Sequence, residues 1–387
     1  MSAASQGLAK AATTSELDDE GRIACLRLMR SENVGPITYH HLIERYGSAS
    51  RALEALPRLA RRGGKPTLRI YSEQEALAEL ETVERLGARL IVHGERTYPG
   101  PLATLPDAPP LISVRGQRDL FDRPAVAIVG TRNASSAGHR YTRTLAADLG
   151  EAGFAVVSGL ARGIDTAAHV GAVETGTLAV LAGGIDSVYP PENADLQSEI
   201  SERGLLVAEQ KAGTRPQARH FPTRNRLISG LSLGVIVVEA ALRSGSLITA
   251  RCALEQGREV FAVPGSPLDP RCHGSNGLIQ DGAVLVQSAS DVTSALDLMI
   301  RSRRPPEPLR RRLVPTPIPD DGQLADSRHR VAAALSPTPV TVDELLRHCH
   351  LTPPVLLTIL LELEAAGRLH RHPGNRVSFC DQGVTYP

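Results

Sequence analysis

Apolar positions recur at helical spacing from residue 19 onward: Ile23, Leu26, Leu28 and Met29, then Tyr39, Leu42, Ile43 and Tyr46, then Ala52, Leu53, Leu56 and Leu59. Side chains three and four apart share one face of a helix, so this segment predicts short packed helices. The turn Asn33-Val34-Gly35-Pro36 joins the first two. Residues 72–86 predict another amphipathic helix, stopped at Gly87, and residues 89–92 a strand. Pro99, Pro101, Pro106, Pro109 and Pro110 predict an extended connector without helix, leading to a second short strand over 111–114. The pattern then changes. Short continuous apolar runs at 125–129, 155–157, 178–181, 205–208, 235–238, 260–263 and 283–286 alternate with helical spacing at 137–152, 166–174, 194–202, 224–231, 247–256 and 291–300. Strands that are apolar on both faces, alternating with helices, specify an α/β fold with a mostly parallel sheet covered on both sides. In such sheets the sites lie at the strand C-terminal ends.

The same pattern divides the chain. Residues 1–18 are small and polar and predict a disordered tail. Residues 19–70 predict a helical domain of helix-hairpin-helix or SAM type, whose hairpin glycines could touch a phosphate backbone or simply pack. Residues 71–300 hold the extended Rossmann-like sheet. Residues 301–326 open with a run carrying six Arg and six Pro up to Gln323 and predict a basic extended linker. From 327 to 387, helical patterns at 328–335, 342–348 and 353–366 precede a Gly-turned hairpin over 369–379, which is a winged-helix order.

Composition narrows the classes. Net charge is +1, from 43 Lys and Arg against 42 Asp and Glu, so any polyanion contact must come from local clusters. Aromatics are 3% with no Trp, which excludes a surface tiled with base-stacking platforms. The five cysteines are dispersed with no Cys-x-x-Cys pair, which predicts reduced thiols in a cytoplasmic setting. His348-Cys349-His350 and Cys272-His273 lack a second ligand pair at zinc spacing, so no metal is expected. No cofactor is expected either. There is no apolar signal segment, and no apolar run approaches the roughly 20 residues that span a bilayer, so no membrane is expected.

The candidate chemistry lies in the turns. Gly130-Thr131-Arg132 follows the first buried strand; it matches neither a dinucleotide turn nor a P-loop, and reads equally as a phosphate cradle or a plain strand–helix turn. Ser158-Gly159-Leu160-Ala161-Arg162-Gly163-Ile164-Asp165 gives backbone room, with Asp165 as a helix N-cap and His169 as its neighbour on the helix face. Gly183-Gly184-Ile185-Asp186 leads into Tyr189-Pro190-Pro191 with room but no catalytic group. The basic run then places Arg219, Arg224 and Arg226 on a turn and a helix start, beside Phe221 and Asn225. Arg for phosphate with one ring for a base is a minimal kit for single-stranded nucleic acid; a solvated loop with Phe221 in the core is the plain alternative. Ser244-Gly245-Ser246 opens a helix at the end of the 235–238 strand, and the loop through Gly274-Ser275-Asn276-Gly277-Leu278-Ile279 closes over the same edge. Several anion-accepting turns without a nucleophile, metal cluster or paired carboxylates favour binding over catalysis.

Taken together, Val129-Gly130-Thr131-Arg132, Ser158 to Asp165, Phe221-Pro222-Thr223-Arg224-Asn225-Arg226, Ser244 to Ala250 and Val263-Pro264-Gly265-Ser266 resemble the DNA-processing protein A (DprA/Smf) family. The resemblance covers about residues 90–290 in the family's order. It implies a dimeric, non-enzymatic, single-stranded DNA-binding mediator that helps load a RecA-type recombinase on incoming DNA during natural transformation. Binding residues carry over to Arg132, Arg219, Phe221, Arg224 and Asn225, with backbone from Gly130, Ser158 and Gly159. Thr131 stands where the family often has Ser, and Gly277 where many members carry a longer polar side chain, so one contact is expected to be missing there.

A second resemblance, to Rossmann-like nucleotide phosphoribohydrolases, fails at its catalytic Glu: Ala250, Arg251 and Cys252 follow the turn instead. A transcription regulator acting through the winged helix is opposed by its expected recognition helix over 353–364, which has two Glu and no Arg or Lys. That helix is expected to pack on protein, leaving Arg368, Arg371 and Arg376 as the wing's basic contacts.

Overall fold

A computed structural model of the chain describes residues 17–302, 321–372 and 374–380. The predicted tail over 1–18 and linker over 301–326 fall largely outside these residues. The described residues divide into two compact units, one running from Glu79 to the end of the sheet domain, the other joining residues 17–78 to those from 321 onward.

The first unit is built on the sheet. The helix α4 (Glu73–Arg85) leads into β1 (Arg89–Val92), α5 (Gly100–Ala103) and β2 (Leu111–Gly116). The proline-rich connector is therefore not wholly extended: Pro101 sits in the first turn of α5, where its missing N–H has no partner to lose. Then follow β3 (Ala125–Val129), α6 (Ser136–Glu151), β4 (Ala155–Ser158), α7 (Ile164–Ala172), β5 (Thr177–Leu181), α8 (Ala194–Arg203) and β6 (Leu205–Ala208). The second half runs α9 (His220–Gly230), β7 (Gly234–Val237), α10 (Gly245–Glu255), β8 (Glu259–Ala262), α11 (His273–Gln280), β9 (Val284–Leu285) and α12 (Ala289–Ser302). Among the described residues the sheet has nine strands in the order β1-β2-β6-β5-β4-β3-β7-β8-β9, with the β1–β2 and β2–β6 pairings antiparallel and the others parallel. Alternate residues of each strand feed opposite cores. Val126 and Ile128 pack with Leu145, Leu149 and Phe261 on one side; Ala125, Ala127 and Val129 pack with Leu227, Ile228 and Ala253 on the other. Phe261, fully buried, is worth roughly 3–5 kcal/mol against Ala by the usual cost of emptying such a site.

Helices depart from the spacing in three places: one over Asp321–Ala334 begins inside the stretch expected to be extended linker, and two lie in the sheet domain. α9 begins at His220 rather than at residue 224, so Arg224 lies inside it. The run Gly274 to Ile279, read as a loop, is the helix α11; the Gly274 N–H donates to Ala240 O at 2.7 Å, and a Cβ there would lie 2.7 Å from that same oxygen.

The second unit joins α1 (Asp19–Arg30), α2 (Pro36–Tyr46) and α3 (Ala49–Arg62) to α13 (Asp321–Ala334), β10 (Val340–Thr341), α14 (Val342–Cys349), α15 (Pro353–Ala365) and the wing strands β11 (Leu369–His372) and β12 (Arg376–Phe379). α15 is apolar nearly all round, as a helix buried on several sides must be. Its two acids are buried: Glu362 holds Arg328 at 2.7 and 2.9 Å, and Glu364 holds Arg371 at 2.6 Å. It packs on the N-terminal helices, as its charge pattern predicted. Asn33 Nδ2 donates to Ala365 O at 3.1 Å and Arg45 Nη1 to Thr358 Oγ1 at 2.8 Å. Arg368 and Arg371 are not open wing contacts: Arg368 donates to Gly63 O at 3.2 Å and stacks on Phe379 at 4.9 Å.

Candidate nucleic-acid interface

β3 and β7 are neighbours, and the chain winds outward from them in both directions. An open α/β sheet leaves a crevice beyond the strand ends at such a reversal. Here the loops after β3, β4 and β7 meet the start of α9. With Tyr189 and Pro216 they line a groove of about 670 Å³ that includes Gly130, Arg132, Phe221, Arg224, Asn225 and the Ser244-Gly245-Ser246 turn.

Its exposed chemistry is aromatic and cationic. The Arg132 guanidinium lies 5.0 Å from the centroid of the half-buried Phe221 ring. Tyr189 meets that ring at 5.4 Å with a 59° tilt and is itself 43% exposed. Arg219 is exposed one residue before α9, with its Nε 3.5 Å from His220 Nε2. Partial burial, then the Arg219 charge, hold His220 below its ordinary value, so it is neutral at pH 7. Rings with open faces beside guanidinium groups accept bases and phosphates together. Tyr189 was missed in the sequence, where its turn offered only backbone room. An aromatic directly after the Gly-rich turn that ends β5, in a chain with seven Tyr, was the signal available.

Arg224 and Asn225 do not project. Arg224 is buried, with Nη1 donating to Gly159 O at 2.5 Å and to Val180 O, and Nε to Asn225 Oδ1 at 3.3 Å. Asn225 Nδ2 donates to Gly245 O at 3.3 Å, which ties α9 to the α10 turn. Burial pulls the Arg224 pKa down to about 10, still well above neutral, with the Asp165 charge opposing the shift. Gly159 has no side chain because a Cβ would lie 2.5 Å from that guanidinium. Asp165 is not the helix N-cap; Gly163 is, at φ +76°. The Asp165 carboxylate turns back to accept the Gly159 and Ala161 N–H groups at 3.2 and 3.4 Å. Burial raises its pKa, while Arg224 and those two N–H groups pull it down. These two residues therefore build the floor of the groove.

The remaining predicted residues divide. Ser158 is fully buried and donates to Ile128 O at 2.7 Å, so its hydroxyl faces no ligand. Arg162 is exposed but pairs with Glu192 at 2.5 Å. Arg226 donates to Asp107 O at 2.7 Å and pairs with Glu209 at 2.5 Å, away from the groove lining. Thr131 is a loop anchor: its N–H donates to Glu239 O at 2.6 Å and its Oγ1 accepts from the Asn133 N–H at 3.2 Å. Ser244 caps α10, accepting the Ser246 N–H at 3.4 Å, and the two hydroxyls share a 2.7 Å bond at the groove wall. Among the described residues no cluster of His, Cys, Asp or Glu is arranged to hold a metal, and no helix is long and apolar enough to cross a membrane.

A family model described as DNA recombination-mediator protein A matches residues 89–297, the span that carries this groove. The chain belongs to that family. Companion models match a DprA-like N-terminal HHH domain over 19–82 and a DprA winged helix domain over 315–375. Protein Smf of Escherichia coli K12 is 38% identical over 298 residues, covering 76% of this chain and 78% of the relative. DNA processing protein DprA of Streptococcus pneumoniae is 46% identical over 202 residues, covering 52% of this chain and 71% of the relative. The X-ray structure of the pneumococcal protein superposes with a TM-score of 0.60 at 36% identity, covering 70% of this chain and 96% of that one. A Helicobacter pylori DNA processing protein A, described for its single-stranded DNA binding mode, superposes at 0.51 with 30% identity, covering 55% of this chain and 96% of that one. This member thus has the family's α/β sheet domain with helical and winged-helix modules at its ends.

Proposed function

We propose that this chain binds single-stranded DNA in the β3–β7 groove and acts as a recombination mediator, protecting incoming strands and helping to load a RecA-type recombinase during natural transformation. The observation that carries the reading is the grouping of Arg132, Phe221 and Tyr189 at an open groove, where rings and a guanidinium can meet bases and backbone at once. Family membership supports the mediator role, the homodimer, the recombinase and a cytoplasmic setting. The groove offers binding groups and no reacting set. His169 is buried and neutral, and Cys252, whose thiol burial shifts away from the thiolate, does not line the groove.

The test is fluorescence anisotropy of a labelled oligo-dT across a salt series. Wild type is expected to bind and to weaken as salt rises. Arg132→Ala weakens binding and makes the log–log salt slope shallower by about 0.7, the share of one single-strand phosphate contact. Phe221→Leu loses roughly 1–3 kcal/mol of stacking with the slope unchanged. Arg224→Lys lowers Tm, because Lys has no Nε–H for Asn225 Oδ1 and its ammonium ends short of the Nη1 position that bonds the Gly159 and Val180 carbonyls. Absence of binding by wild type at low salt overturns the reading.

A further inference from the structure

Behind the loop after β3 that carries Arg132, a buried carboxylate is held by the N-terminus of α6. Glu239 lies two residues past β7 and is 7% exposed. Its Oε2 accepts the Ser135 N–H at 3.0 Å, and its Oε1 accepts the Ser135 hydroxyl at 2.6 Å. Ser135 is the N-cap of α6 and accepts the Gly138 N–H at 2.8 Å. At Gly138 an added Cβ would lie 2.7 Å from Oε1, so the helix's first turn leaves room for the acid. The main chain joins in, since Glu239 O accepts the Thr131 N–H. Arg271 feels the same charge, yet its guanidinium is held by Asp269 at 2.7 Å.

These are the groups a nucleotide phosphate would use. The positive end of a 16-residue helix, the Ser135 N–H and its hydroxyl converge at the strand-order reversal, where open α/β sheets bind phosphates. We infer that Glu239 is an internal stand-in for phosphate. It occupies the anion position at the start of α6, and it pins the 130–135 loop at both ends. Two consequences follow. A free phosphate is excluded from the start of α6 by charge and by space. Arg132, carried on the pinned loop, is held over Phe221 for a strand lying across the groove. Glu239 is thus a positioning residue. The second consequence rests on the strand-binding reading; the stand-in role does not.

The experiment uses the full chain with Glu239→Ala, melted in phosphate and in chloride at matched ionic strength. The variant is expected to melt below wild type and to regain several degrees in inorganic phosphate or sulfate, because an anion that binds only the folded state stabilises it. Wild type is expected to show no phosphate-specific rise. A variant that melts cooperatively without rescue, or a wild type that gains as much, overturns the inference. Should Glu239→Ala not fold, Glu239→Gln is read instead by amide exchange. Faster exchange over residues 131–138 supports the inference, and unchanged exchange there sinks it. For the strand, Glu239→Gln is expected to bind oligo-dT several-fold more weakly with an unchanged salt slope, unlike Arg132→Ala. If wild type itself fails to bind oligo-dT, the strand-binding reading falls while phosphate rescue still decides the role of Glu239.

Discussion

His169 shows how a single residue ties the groove to pH. It is fully buried in α7, with Nε2 accepting the Leu160 N–H at 3.3 Å and Nδ1 2.7 Å from Thr177 Oγ1. The Thr177 hydrogen is committed to Val156 O at 2.9 Å, so Nδ1 carries the imidazole proton and the ring is neutral. Burial, helped by the Arg224 charge, lowers its pKa to about 3 from an ordinary 6.5. Between those values the unfolded chain holds a proton that the folded chain does not. Stability from this group is therefore full above pH 6.5 and lost as pH falls toward 3, at about 1.4 kcal/mol per pH unit for one proton. Asp165, raised by burial, works with the opposite sign and gains as pH falls. His169→Gln leaves Asp165 in place, so it should flatten the loss between pH 6.5 and 4 by about one proton. Urea titrations at several pH values check this; parallel curves for variant and wild type would show that His169 is not held neutral.

At the scale of elements, periodicity was a good guide where a helix or strand buries one continuous face, and a poor one where a distant carbonyl decides. The strands at 125–129 and 205–208 match their apolar runs to the residue, because continuous Val, Ile, Leu and Ala can only be buried on both faces. The placement of Arg224 was not legible. Its partners Gly159 O and Val180 O lie 65 and 44 residues away in sequence, and an Arg in a basic run reads as solvated. α11 was hidden by Gly274 and Gly277, poor helix formers, of which Gly274 is set close against Ala240 O. By contrast the apolar, acid-bearing α15 announced that it packs on protein. It follows that Glu362→Gln with Glu364→Gln should bring no gain in duplex DNA affinity, since the helix face is covered. The pair should lower stability by roughly 1–3 kcal/mol through weakened bonds to Arg328 and Arg371. Duplex binding and thermal melts read both; a large gain in duplex affinity would mean that the helix is available to a groove.

At the scale of the whole molecule, the N-terminal helices and the winged helix share one folded unit while the groove belongs to the other. The bonds from Asn33 to Ala365, from Arg45 to Thr358 and from Arg368 to Gly63 each join residues more than 300 positions apart. Such closure makes the stability of the N-terminal helices depend on the winged helix, because α15 covers part of their apolar surface and Asn33 satisfies one of its last carbonyls. Local opening should then be cooperative within this unit and separate from the sheet domain. Replacing Thr358 and Asn33 by Ala in the full chain removes one side-chain bond from each side of the contact. Hydrogen exchange is expected to speed up together over 36–62 and 353–379, with 125–262 keeping its protection. Faster exchange in the winged helix alone would show that the two terminal modules fold independently. The hairpin turn at Asn33 to Gly35 would then be open to a phosphate backbone, and duplex binding by the N-terminal helices would become the next question.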